Sequence, residues 1–360
     1  MPHMISDDHI RALPKVELHV HVEGAAPPHT IAELARKNGV DLGVDDPADL
    51  YRYHDLTAFL RVYDVVCRSL QHADDLHRVT YEALAIAAAA GVRYREMFFS
   101  PTFLLRNGVM FDTIWSGIAA GIADAATDHS IVCRMILDVD KPSGASAAAE
   151  LVEAASRCDR ELLIGIGGDA GEQGVDLRAL AEPFRRARQL GFRTTMHLGE
   201  EGPADDIRAG LEIVGVERID HGFSLLDDPD LVGDVVRSGV AFTVCPTSNR
   251  RIGLVDSVAS HPVLRMRDAG VVVTLNSDNA AMFDIDLADE YVNVRDAFGC
   301  TLHELEDFSL TAIEASWADH TTKRTMRRDF LVEMAELRTA NGMASRDHRS
   351  PSPRRQPDVP

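Results

Sequence analysis

Short apolar, β-branched runs recur along the chain at 16–22, 92–99, 132–139, 162–168, 193–198, 218–221, 241–245 and 271–276, with helical periodicity between them. Several of the helical stretches stop at a glycine just before the next run, as in Ala90-Gly91-Val92, Leu190-Gly191-Phe192, Ser238-Gly239-Val240 and Ala269-Gly270-Val271. That is the signature of a helix C-cap leading into a strand. Regular strand–helix alternation predicts a parallel sheet, and eight such units predict closure into a (β/α)8 barrel, with an open doubly wound sheet as the alternative. About seventy residues separate the first two strands, too many for one crossover helix, so 27–90 is expected to hold extra helices that partly roof the barrel mouth. Within it the alanine-rich tract 83–90 reads as a buried helix ending at Gly91. Residues 1–340 are expected to form one barrel domain, and the Pro-, Ser- and Arg-rich stretch 341–360 a disordered tail.

Composition narrows the partners. Hydrophobic residues make up 45% of the chain and charged residues 26%, enough for a full core. The formal net charge of −20 disfavours nucleic-acid polymers and anionic membranes, and leaves small uncharged or cationic ligands open. The N-terminal residues lack an apolar signal region, and no apolar run approaches a membrane span. The five cysteines form no C-x-x-C pair, so neither a disulfide framework nor a cysteine metal site is indicated, and a cytoplasmic location is expected.

The chemistry gathers at strand ends. In Val16-Glu17-Leu18-His19-Val20-His21-Val22-Glu23 the period of two puts Val16, Leu18, Val20 and Val22 on one face and Glu17, His19, His21 and Glu23 on the other. The polar face then points into the barrel, where such groups are costly without a metal or full hydrogen bonding. An H-x-H alone also fits two histidines satisfied by ordinary hydrogen bonds. Three further strands end in polar groups: Met196-His197-Leu198-Gly199-Glu200-Glu201, Ile219-Asp220-His221-Gly222, and Leu275-Asn276-Ser277-Asp278-Asn279. Glu200 and Glu201 also fit an acidic pair at a helix N-terminus. C-terminal strand ends of a barrel converge on one mouth, and a set of histidines with a carboxylate suits zinc, which activates water near neutral pH.

In this order, PKVELHVHVEG, MHLGEEGP, RIDHG, CPTSN and TLNSDN resemble the adenosine and adenine deaminases of the amidohydrolase superfamily, over about residues 13–315. The resemblance implies one zinc per chain held by His19, His21, His197 and Asp278, with a 6-aminopurine as substrate. It implies Glu200 as the proton shuttle to ring N1 and His221 as the residue that orients the attacking oxygen. His21, Glu23, backbone groups near Ala170, and Asn279 are implied as substrate contacts, Ala170 against N3 and Asn279 against N7. Glu23 stands where the nucleoside enzymes usually carry Asp, as it does in the adenine deaminase branch. Asn279 stands where the family usually carries a second Asp.

Two other hydrolytic types are weighed against this. His21-Val22-Glu23 forms the H-x-E of the nucleobase-editing deaminases, but their P-C-x-x-C is missing and Cys245-Pro246 runs in the wrong order. A binuclear amidohydrolase needs a bridging lysine at the end of strand four, and no lysine lies near 162–168; Lys141, ending strand three, is the one route to it. A catalytically silent relative, suggested by Asn279, has no use for a shuttle carboxylate beside a metal.

Overall fold

The computed structural model describes residues 5–53 and 56–340; the tail expected over 341–360 lies outside them. Strands β1 (Lys15–Glu17), β2 (Val92–Phe99), β3 (Val132–Asp140), β4 (Leu163–Asp169), β5 (Arg193–Leu198), β6 (Arg218–His221), β7 (Ala241–Val244) and β8 (Val272–Leu275) stand side by side in chain order. Each is parallel to the next. The ring closes between the two ends of the sheet. The amide of His21 donates to the carbonyl of Asp278 at 2.8 Å and the amide of Asp278 to the carbonyl of His19 at 3.1 Å. The architecture is the (β/α)8 barrel, not the open sheet.

The first strand is shorter than the alternating pattern. Regular pairing stops at Glu17 because the amide of Leu18 donates to the side-chain carbonyl of Asn276 at 2.9 Å, and pairing returns only as isolated bridges at Val20 and His21. The alternation itself holds. Val16, Leu18, Val20 and Val22 are buried in the main apolar core beneath the helices.

The interior side of that strand divides its polar groups between two tasks. Glu17 accepts from Arg95 Nε at 2.6 Å and from the amide of Ser277 at 3.0 Å, tying β1 to β2 and to the end of β8. Beside it Arg218 donates to Glu96 at 2.6 Å and stacks 3.9 Å from the centre of the Trp317 ring. These pairs are fully buried at the closed end of the barrel, where a charge is tolerated only when paired. His19 and His21 are left for the open end.

The long connection after β1 is helical, as its length requires. Helix α1 (Asp7–Ala12) precedes β1, and α2 (Pro28–Asn38), α3 (Leu56–Ser69) and α4 (Ala73–Ala89) follow it. Helix α4 ends at Gly91, whose φ of 86° is the left-handed conformation that glycine tolerates best. Lys15 ties these pieces to the barrel: its buried Nζ donates to the carbonyls of Ile10, Leu13 and Ala90 at 2.5, 2.7 and 3.0 Å. Helix α3 joins the main core through Val66 and faces the barrel mouth with its other apolar side. Its Phe59, Tyr63 and Cys67 pack with Ile252, Met282 and Phe283 in a separate apolar cluster that roofs the mouth. No helix among the described residues is long and apolar enough to cross a membrane.

Candidate active site

The polar strand ends meet at one mouth. His19 and His21 follow β1, His197 lies next to the end of β5, His221 ends β6 and Asp278 follows β8. Ala170, His221 and Asp278 have φ of 63°, 64° and 59°, a region that L-residues enter at a cost. Such outliers cluster where the surrounding structure imposes them for function, and here they turn three strand ends toward the same pocket. That pocket is lined by His21, His197, His221, Glu200, Asp278 and Asn279 on its floor.

Hydrogen bonding fixes the imidazole tautomers. Thr243 spends its hydroxyl proton on Asp220 Oδ1 at 2.7 Å, so His19 Nδ1, 3.1 Å from that hydroxyl, must be the donor. His197 Nδ1 donates to the carbonyl of Gly168 at 3.2 Å. His21 Nδ1 faces Asp138 Oδ2 at 3.7 Å. With Nδ1 protonated, Nε2 of His19 and of His197 is a bare lone pair, and His21 Nε2 converges with them. His21 Nε2 lies 3.2 Å from His197 Nε2 and 3.4 Å from Asp278 Oδ1, while His19 Nε2 lies 3.5 Å from the same oxygen and has no hydrogen-bond partner. Three converging imidazole nitrogens and a carboxylate form a buried donor set that could hold a metal ion, and nitrogen with oxygen donors suits zinc. Donor atoms of His19, His21 and His197 lie within 4.8 Å of one another, as do those of His19, His221 and Asp278.

The charge states agree with this. Burial pulls His21 down to about 4 and His197 well below the ordinary histidine value. Asp278, against the cost of burial, is held well below the usual carboxylate range by His19 and His21. His19 is drawn upward by Asp278 although burial opposes it, which marks a demand for positive charge at this point.

Glu200 has the opposite character. Burial, reinforced by Asp278, Glu172 and Glu201, pushes its carboxyl well above the usual range, which favours the protonated form. Its Oε1 lies 3.5 Å from His221 Nδ1, and His221 is kept neutral by burial. The following helix, Ala204–Ala209, begins too late for Glu200 and Glu201 to serve as its acidic N-terminal pair. Instead they sit on a loop whose three successive amides, Gly199, Glu200 and Glu201, donate to the Glu172 carboxylate at 2.7, 2.9 and 2.9 Å.

Asn279 reaches the pocket beside Asp278, with Nδ2 donating to Asp278 Oδ1 at 2.7 Å. Only glycine fits at position 24, since a Cβ there would lie 1.9 Å from Asn279 Oδ1. Ala170 lines the pocket between Asp169 and Gly171. Glu23 is not among the lining residues. It is fully buried behind them, accepting from the amide of Ser100 at 2.9 Å.

Several residues that build the site carried no motif. Asp138 faces His21, and Gly167 makes room for it: a Cβ at 167 would lie 2.0 Å from Asp138 Oδ1. Asp169, on the pocket wall, is pushed up to about 7 by burial. Glu172 was reachable only as an acidic residue after a glycine-rich strand end. Lys141, the route to a binuclear centre, is fully buried at the end of β3 and donates to the carbonyl of His197; β4 ends in Gly168-Asp169 without a lysine.

A family model described as adenosine deaminase matches residues 14–331. The chain belongs to this family. Among curated members it is 36% identical over 335 residues to an adenine deaminase of Streptomyces coelicolor, a match spanning 92% of this chain and 97% of the relative. Among solved structures, an adenine deaminase from Arthrobacter aurescens superposes with a TM-score of 0.86 at 32% identity, covering 91% of this chain and all of that one. An amidohydrolase from Burkholderia ambifaria with bound Zn superposes with a TM-score of 0.87 at 30% identity, covering 95% and 97%.

Proposed function

We propose that the chain is a hydrolytic deaminase of 6-aminopurines, with free adenine preferred, working with one zinc held by His19, His21, His197 and Asp278. Glu200 carries this reading: a buried carboxyl in the same pocket as the converging histidines and Asp278, where burial favours its protonated form. When bound, zinc supplies the Lewis acidity that makes water nucleophilic at neutral pH. Glu200 gives its proton to ring N1 as the C6–O bond forms, and the electron pair of the C6–N1 double bond moves to N1. His221, neutral and beside Glu200, holds the incoming oxygen. The C6–N6 bond then breaks as the C6 hydroxyl gives up its proton and the amine takes one by way of the Glu200 carboxylate, leaving as ammonia; the other proton of the attacking water restores Glu200, and a 6-oxopurine remains. Asn279 has a second amide hydrogen beyond the one given to Asp278, and it donates to N7; backbone groups near Ala170 face N3.

The wall opposite the ligands favours an uncharged substrate. Among the described residues no lysine or arginine lines the pocket, whereas the carboxyl groups of Asp169, Glu200, Glu201 and Asp278 do, so a phosphate would find no cationic side chain to pair with. Phe59, Leu60 and Phe103 give the pocket an apolar patch that suits a bare purine ring, with Tyr63, Asp169 and Glu201 as the hydrogen-bonding groups beside it. The structural relative from Arthrobacter aurescens, itself an adenine deaminase, is consistent with this preference. Ammonia release by the zinc-loaded protein should be compared for adenine, adenosine, 2′-deoxyadenosine and adenosine 5′-phosphate. Adenine is expected to give the highest kcat/KM and the phosphate none. Release from none of the four would exclude the purine reading.

A further inference from the structure

The CPTSN motif follows β7 directly. It opens the short helix Pro246–Arg251, whose Asn249 is fully buried and absent from the pocket wall. Asn249 Nδ2 donates to Glu200 Oε1 at 2.7 Å. Behind it, Asn249 Oδ1 lies 3.1 Å from Nε2 of His261, and Nδ1 of His261 lies 3.1 Å from the backbone nitrogen of Val263.

The proton positions follow from the far end of this line. A backbone N–H can only donate, so His261 Nδ1 is the acceptor and its Nε2 carries the hydrogen. His261 is 2% exposed, and burial pulls its pKa down to about 3, so the ring is neutral and keeps that tautomer. Nε2–H then donates to Asn249 Oδ1, which orients the amide with its NH2 toward Glu200. Glu200 Oε1 therefore accepts from Asn249, a role that the carbonyl oxygen of a carboxyl fills better than its hydroxyl oxygen, so the carboxyl proton is favoured on Oε2.

We propose that Asn249 and His261 are positioning residues that assign the exchangeable proton of Glu200 to its Oε2. The relay runs from a fixed backbone amide, through a neutral imidazole and an amide side chain, to the shuttle carboxyl. It rests on Glu200 acting as the proton shuttle. Without it the proton distributes between the two oxygens and the carboxyl loses its fixed rotamer, so the cost falls on the chemical step and not on substrate binding.

Steady-state kinetics and zinc content should be measured for wild type, Asn249→Ala, His261→Phe, the double variant, Glu200→Gln, and His261→Phe combined with Glu200→Gln. Each single relay variant is expected to lose roughly 10-fold or more in kcat, with KM and zinc content little changed. The double variant is expected to be no worse than Asn249→Ala, because His261 acts only through Asn249. In the Glu200→Gln background His261→Phe is expected to cost nothing further. His261→Gln, which restores an N–H donor, is expected to recover part of the kcat lost by His261→Phe and serves where the phenylalanine variant folds poorly. Additive losses in the double variant, a change confined to KM, or an undiminished effect of His261→Phe in an impaired Glu200→Gln enzyme would overturn the relay while leaving the shuttle role intact. Normal turnover by Glu200→Gln would overturn both.

Discussion

His21 and Asp278 are joined twice: the His21 amide donates to the Asp278 carbonyl at 2.8 Å, and their side chains bring Nε2 and Oδ1 to 3.4 Å. The first contact closes the barrel between β8 and β1. The second forms part of the proposed metal ligand set. One seam therefore serves both the fold and the chemistry, and loading the site with metal bears on the stability of the whole ring.

Zinc that binds only the folded state stabilises it by about 2.7 kcal/mol at 100 times its Kd. Removal by a chelator is expected to lower the melting temperature reversibly, and Asp278→Ala to abolish the zinc-dependent rise. Metal analysis of protein purified without added metal is expected to give one zinc per chain; two per chain would contradict the mononuclear assignment.

Glu200→Gln preserves size and can still accept from Asn249, but it cannot shuttle a proton. Turnover is expected to fall by about 10² or more, with zinc and purine binding retained. Near-normal turnover in a folded, zinc-replete variant would remove Glu200 from the chemistry.

The donor role of Asn279 can be isolated with a substrate lacking N7. Asn279→Ala is expected to cost adenine roughly 10- to 100-fold in kcat/KM, the range of a lost hydrogen bond in a desolvated site. With 7-deazaadenine, which has no acceptor at that position, the wild type and the variant are expected to converge. An equal loss on both substrates would place the effect in the Asp278 contact and not at N7.

Away from the ligands, Glu290 is a pH-sensitive element of the fold. It is fully buried, accepts from the Thr247 amide at 3.1 Å, and burial pushes it from 4.5 up to about 7. Its folded pKa lies above its unfolded one, so stability is lost as pH rises from about 4.5 through about 7. Glu290→Gln keeps the acceptor and does not titrate. Its stability relative to wild type is expected to rise by about 3 kcal/mol between pH 4.5 and pH 8, read by urea denaturation at constant zinc; a pH-independent difference would contradict the shift.

Much of this molecule was legible from periodicity. The runs at 92–99, 193–198 and 218–221 match β2, β5 and β6 in the structure, because buried parallel strands read as apolar runs bounded by glycine caps. The first strand was read too long, since alternation records which face a residue takes and not whether its amide pairs along a ladder. His19, His21, His197, Glu200, His221 and Asp278 were visible because their side chains interrupt apolar strands at one end. What escaped was the layer behind them. Asp138, Glu172, Asn249 and His261 act through contacts 12 to 117 residues away in the chain, as with His261 to Asn249 and Asp138 to His21, and no local pattern encodes such pairings. Glu17, sharing a face with the two histidines, was sorted from them only by the position of Arg95 on the neighbouring strand.

The most direct test of the central claim is to run the reaction in ¹⁸O-labelled water with adenine and the zinc-loaded protein, measuring ammonia together with the mass of the purine product. Hydrolysis at C6 requires one ammonia per 6-oxopurine and one ¹⁸O in each product molecule, both lost when zinc is removed. Product formed without the label, or no ammonia from any 6-aminopurine, would contradict it.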